Sequence, residues 1–141
     1  RLPGMIEAEN YDKGGQNIAY YDRSPGVNKG GAYRKDCIDI WPMGKNYYVG
    51  SINAGEWLEY TVNAGYTGSY RLDFRVATPN SGAKIQVLLD GKAVCTVNVP
   101  NTGAWNQYQT KTATANLTAG QHVLQFKFIQ GGVNFDSVFI D

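Results

Sequence analysis

One histidine, two cysteines and a net charge of +1 are all that this 141-residue chain provides for chemistry that needs bases, thiols or strong fields. Each scarcity removes a class of function. His122 stands alone, and its next same-face neighbours are Leu124 and Phe126, so it reads as a strand-end residue rather than a general base. Cys37 and Cys95 lack metal-ligand spacing and are too few for a disulfide framework, although a single bridge between them stays open. Lys and Arg number 13 against 12 Asp and Glu and are scattered, which argues against nucleic acid or a membrane surface as partner. No apolar run approaches the roughly 18 residues of a membrane span. Arg1-Leu2-Pro3-Gly4 does not read as a signal peptide, so the chain is expected to be a soluble fragment or mature domain. Phosphate loops of the form GxxxxGK[ST] and GxSxG elbows are absent, as are helical apolar windows uninterrupted by Gly or Pro.

What is abundant points to strands. The chain holds 17 Gly with 10 Tyr, 5 Phe and 3 Trp, the composition of aromatic and β-branched segments joined by tight turns. Tyr70, Leu72, Phe74 and Val76 alternate with Arg71, Asp73 and Arg75, which predicts a half-buried strand over 70–76. A second strand over 83–89 meets Asp90-Gly91, a type I′ hairpin signal, and returns over 93–99. Further strands are expected over 5–10, 57–63, 107–114, 122–129 and 133–140, with short ones over 18–21 and 47–51. Their spacing predicts an all-β fold, a sandwich of two antiparallel sheets, in a single domain over 1–141. Residues 21–46 show little alternation and read as a long loop, the place where β scaffolds usually build binding surfaces.

Carboxylates are the only groups left for catalysis. A pair of Asp or Glu side chains at about 5 or about 6.5–9.5 Å could hydrolyse a glycosidic bond, but twelve acids make such a pair easy to imagine. Glu7 and Glu9 are more pointed, because they would share one face of the first strand and repel unless neutralised. Two readings are open. Both face solvent on an edge strand, or both ligate a calcium ion with Asp136 as a third ligand.

Several segments in order carry a resemblance to a known family. They are Ile6-Glu7-Ala8-Glu9-Asn10-Tyr11, Gly30-Gly31-Ala32-Tyr33-Arg34, Tyr48-Val49-Gly50, Ala54-Gly55-Glu56-Trp57-Leu58-Glu59-Tyr60, Thr102-Gly103-Ala104-Trp105 and Gly131-Gly132-Val133-Asn134-Phe135-Asp136. The chain resembles a family 6 carbohydrate-binding module along nearly its whole length. The resemblance implies a jelly-roll sandwich, a structural calcium at Glu7, Glu9 and Asp136, and a non-catalytic, monomeric module within a secreted polysaccharide-degrading enzyme. It further implies a ligand slot at one end of the sandwich, with Tyr33 and Trp105 gripping a sugar and Asn134 hydrogen-bonding to it. Trp41 would line a further part of that slot. Trp57 is expected to pack within its strand, although some modules of this family carry a second site on a sheet face, where Trp57 and Glu59 could lie. The implied ligand is a neutral β-linked polysaccharide or oligosaccharide, with β-1,3-glucan or xylan favoured and mixed-linkage glucan, cellulose or agarose as alternatives. A small carboxylate-dependent glycoside hydrolase and a protein-interaction sandwich are the competing readings.

Overall fold

A computed structural model describes residues 2–22, 28, 30–34, 36, 38–50 and 52–141. The strands are β1 (Gly4–Glu7), β2 (Tyr20–Tyr21), β3 (Ile40–Met43), β4 (Asn46–Val49), β5 (Trp57–Ala64) and β6 (Gly68–Ala77), then β7 (Ala83–Leu89), β8 (Lys92–Val99), β9 (Gln109–Leu117), β10 (Gly120–Gln130) and β11 (Asn134–Ile140). One sheet runs β3-β4-β11-β6-β9 with β1 also paired to β11, and the other runs β2-β5-β10-β7-β8. Every pairing between these strands is antiparallel. The expected all-β sandwich is therefore the observed one.

Alternation in the sequence becomes the two faces of each sheet. Tyr70, Leu72, Phe74 and Val76 are fully buried, whereas Arg71 and Arg75 point outward. The sheets meet through an aromatic cluster: Phe126 of the five-stranded sheet packs edge-on against Phe74 at 5.0 Å and Phe135 at 5.9 Å, both in the other sheet. Truncating one of these rings to alanine would cost about 3–5 kcal/mol, a large share of the stability of a domain this size. At the β7–β8 turn Asp90 and Gly91 both have positive φ (50° and 88°), as a type I′ turn requires.

Two departures from the sequence reading shape the functional regions. Strand β1 stops at Glu7, and Ala8–Asn10 form a 3-10 turn packed against β4 and β11. The turn is held by the Tyr60 hydroxyl, which donates to the Ala8 carbonyl at 2.6 Å. Glu7 and Glu9 therefore do not share a strand face, because Glu9 is rotated inward. Within the expected long loop, Ile40–Met43 instead form edge strand β3. Pro42 obscures it in the sequence, yet suits an edge, where a missing N–H breaks no ladder and discourages further pairing.

Candidate functional site

Strands β3 and β4 pair in a register that sets Trp41 opposite Tyr48 and Pro42 opposite Tyr47. Side chains alternate along a strand, so Trp41 and Tyr48 share one face of the hairpin and Tyr47 takes the other. Trp41 and Tyr48 line a groove of ≈ 390 Å³ with Trp105 and Asn134. Asn134 opens β11, one residue before Phe135, which pairs with Val49 at the end of β4.

Trp105 comes from the loop between β8 and β9 and is 49% exposed. That loop is tied down from below. The Thr102 amide and hydroxyl both donate to the Thr78 carbonyl, the Thr78 amide donates to the Thr102 hydroxyl, and the Thr78 hydroxyl donates to the Gly132 carbonyl at 2.6 Å. The Asn134 side-chain amide donates to the Trp105 carbonyl at 2.9 Å. This bond links the start of β11 to the tryptophan loop, so Asn134 positions Trp105 besides lining the groove. One amide N–H is thereby used, leaving the carbonyl oxygen and the second N–H as polar groups beside the rings.

Among the described residues no carboxylate or cation lines the groove. Tyr48 is the one ionisable group among the described lining residues, and burial raises its phenol above the ordinary value, so it is neutral at pH 7. Behind it Tyr108 packs edge-on at 6.4 Å, with the Arg75 guanidinium 5.5 Å from the Tyr108 ring centre.

Tyr33 lies elsewhere. Its ring packs on Tyr47 at 4.9 Å, on the opposite face of β4 from Tyr48, and its hydroxyl donates to the Asn10 side chain. It lines a separate concavity of ≈ 360 Å³ with Asn10, Tyr11, Lys13 and Arg34. The expected slot between Tyr33 and Trp105 is thus not the arrangement found; the aromatic partners across the groove from Trp105 are Trp41 and Tyr48. Sequence reading missed Tyr48 as a lining residue, although its pairing with Trp41 follows once β3 is recognised. It also missed Asn28, which donates to the Ala32 and Arg34 carbonyls and accepts from the Ile40 amide, fastening the Gly-rich loop to β3.

The acidic residues gather at a different corner. Glu9 is 4% and Asp136 8% exposed, and Glu9 Oε1 and Asp136 Oδ1 are buried without a hydrogen-bond partner. Burial, reinforced by the charges of Glu7 and Asp136, pushes the Glu9 carboxyl up to about 7 against the pull of its own backbone hydrogen bond. Glu7 is raised by burial and by Asp136. Asp136 is raised by burial, with Arg75 (3.6 Å) and Ser137 opposing. Among the described residues no three Asp, Glu, His or Cys side chains form a group that could hold a metal ion as they stand. The orphaned oxygens and mutual repulsion nonetheless fit a hard cation, which would supply the missing partner.

The remaining candidates are placed as follows. Trp57 is half-buried on the outer face of β5, opposite Tyr21 of β2, rather than in the core. Glu59 shares that face and accepts from Gln125 at 3.2 Å. His122 sits at the start of β10 between Asp90 and Thr118. Cys95 is a free thiol, and Cys37 lies outside the described residues. Among the described residues no helix is long and apolar enough to cross a membrane.

Comparison with known proteins gives these features a context. The family model "Carbohydrate binding module (family 6)" matches residues 6–141. A beta-agarase of Microbulbifer thermotolerans is 44% identical over 65 residues, 45% of this chain and 15% of the agarase. The clotting factor G alpha subunit of Tachypleus tridentatus is 29% identical over 123 residues, 85% of this chain and 17% of that protein. The chain thus spans less than a fifth of these curated relatives. Among solved structures, the C-terminal family 6 module of a marine laminarinase from Zobellia galactanivorans superposes with a TM-score of 0.72 at 28% identity, covering 96% of both chains. The module of Cellvibrio mixtus lichenase 5A in complex with cellotriose gives 0.73 at 28% identity, covering 100% of this chain and 98% of that one.

Proposed function

The chain belongs to carbohydrate-binding module family 6, a family of non-catalytic modules found appended to glycoside hydrolases, and from that premise we propose that it binds a neutral β-linked polysaccharide in the groove of Trp41, Tyr48, Trp105 and Asn134. The observation that carries the reading is an open groove whose described lining is three aromatic rings and one amide, with no charged side chain among them. A pyranose presents apolar C–H faces and a fringe of hydroxyls that both donate and accept. Rings take the faces, and the amide of Asn134 matches the hydroxyls. With so few contacts the affinity is modest, Kd on the order of 10–100 μM, or roughly −7 to −5.5 kcal/mol. Attachment to a secreted enzyme turns that weak hold into high local concentration on an insoluble substrate.

For the ligand, the laminarinase module supports β-1,3-glucan, while the agarase relative supports agarose as the second reading. Xylan, mixed-linkage glucan and cellulose complete the panel. The same proposal includes a calcium ion held by Glu7, Glu9 and Asp136, where its charge would offset the repulsion of the buried carboxylates and so stabilise the corner joining β1 to β11. Native gels containing each soluble polysaccharide, followed by calorimetry, test the sugar reading. Retardation by at least one neutral glycan that persists from 50 to 500 mM salt supports it, because uncharged contacts are not screened. Binding that collapses with salt, or reducing-sugar release by the isolated chain, contradicts it.

A further inference from the structure

We propose that Tyr108 is a positioning residue: it buttresses Tyr48 and so fixes the β3–β4 wall of the groove relative to the loop that carries Trp105. The inference rests on the sugar-binding reading above and extends it to a residue that does not itself line the groove.

Each ring of the groove needs a support, because a ring already fixed in its binding pose loses less freedom when a ligand docks. Trp41 has backbone against it: a Cβ on Gly30 would lie 2.9 Å from the indole Cδ2, and one on Gly50 3.0 Å from Cδ1. Trp105 sits on a loop whose carbonyl Asn134 holds at 2.9 Å. For Tyr48 the structure provides another ring. Tyr108 meets it edge-on, with ring centres 6.4 Å apart and planes at 63°, the geometry of a favourable aromatic pair. The two rings stand on unequal foundations. Among the described residues β4 joins β11 through one ladder pair, Val49 opposite Phe135, and its other neighbour, β3, is the sheet edge. Tyr108 directly precedes β9, which is laddered to β6 along its whole length, from Gln109 opposite Val76 to Leu117 opposite Gly68. A firmly anchored ring thus backs a lightly anchored hairpin. The Arg75 guanidinium, 3.6 Å from the Asp136 carboxylate, lies 5.5 Å from the Tyr108 ring centre and steadies it in turn. The Tyr108 hydroxyl is buried without a hydrogen-bond partner among the described residues, so the ring rather than the hydroxyl makes the support.

The test uses the whole chain with laminarihexaose or neoagarohexaose, whichever binds wild type. Tyr108→Phe keeps the ring and drops the unpartnered hydroxyl, and should bind within about twofold of wild type, whereas Tyr108→Leu should weaken binding by about fivefold or more. Tyr108→Met, which fills more of the ring's volume, is a second variant, and folding of each is checked by circular dichroism. Combined with Tyr48→Ala, the leucine substitution should cost less than about twofold further, because the ring it would have supported is gone. Indole N–H spectra of the free proteins add a readout that lost stability alone would not move: Tyr108→Leu should shift Trp41, opposite Tyr48 across the hairpin, and leave Trp57 in place. In wild type the Tyr48 and Tyr108 ring protons should show a nuclear Overhauser contact with and without sugar. A folded Tyr108→Leu or Tyr108→Met protein that binds like wild type, an equal loss with and without Tyr48, or absence of that contact overturns the positioning role while leaving the groove in place. Failure of every glycan to bind wild type overturns the groove reading itself, and this inference with it.

Discussion

The aromatic groove and the acidic corner are opposite kinds of site. The groove exposes Trp105 to water, holds Trp41 against glycine backbone, and has no carboxylate or cation among its described lining residues. The corner buries Glu9 and Asp136, leaves one oxygen of each without a partner, and raises both carboxyls. Exposed apolar surface beside organised backbone suits the docking of something large and neutral, as proposed for the groove, whereas buried unpaired charge is costly unless neutralised, as the proposed calcium would do at the corner. Damage to the first should therefore remove binding and spare the fold, and damage to the second should do the reverse.

The largest effect sharpens the first half of that contrast. Trp105→Ala is expected to abolish polysaccharide retardation, a loss of at least about thirtyfold in affinity, with a melting temperature within about 2 °C of wild type because its ring is half-exposed. Retained retardation would break the assignment of the groove. Next in size is chelation. If calcium at about 100 times its Kd binds the folded state only, it contributes about 2.7 kcal/mol, so excess chelator should lower the melting temperature by roughly 8 °C. Glu9→Gln should reduce that calcium response while leaving sugar affinity within about twofold. A melt indifferent to chelator and calcium would make the corner a purely electrostatic defect.

The smallest effect is a control remote from both regions. His122 places Nδ1 2.7 Å from the Asp90 carboxylate and Nε2 2.7 Å from the Thr118 carbonyl, so the doubly protonated ring can donate to both. The hydrogen bond to Asp90 first, then the Thr118 carbonyl, raises the His122 value, and the His122 bond lowers that of Asp90. The histidine contribution is fully present below the ordinary value near 6.5 and fades as pH rises through the raised folded value. The aspartate contribution is present above about 3.8 and fades as pH falls through the lowered one. The Asp90 side chain is half-exposed and water screens the pair, so the expected result is a shallow maximum in melting temperature between about pH 4 and 6.5 that His122→Ala flattens, with sugar binding unaltered. A shift in sugar affinity on that substitution would show that the two ends of the sandwich are coupled.

Most of the fold was legible because its strands are half-buried and alternate, as in 70–76 and 83–89, and because Asp90-Gly91 admits few backbone geometries. The site was legible in part. Trp105 and Asn134 stand in short motifs next to regular strands, and both line the groove. Resemblance alone sets Tyr33 across from Trp105; the Tyr33 ring packs on Tyr47, and side-chain period along β4 turns Tyr47 away from the face on which Tyr48 lines the groove with Trp105. Tyr48 was missed for a related reason: its partner strand contains Pro42, which hides the hairpin from any reading based on alternation. Glu9 was legible as a candidate ligand but not as a buried one, because a 3-10 turn of three residues has no periodicity to detect, and only packing against β4 and β11 turns its carboxyl inward.

The chain's three tryptophans make one measurement decisive, because each indole N–H gives its own resonance in a ¹H–¹⁵N spectrum. Two of them, Trp41 and Trp105, line the groove, and Trp57 lies on the outer face of β5. Titration with laminarihexaose or neoagarohexaose, whichever binds, should move the Trp41 and Trp105 signals together and leave Trp57 in place. Movement of Trp57 alone would put the sugar on the sheet face and contradict the account.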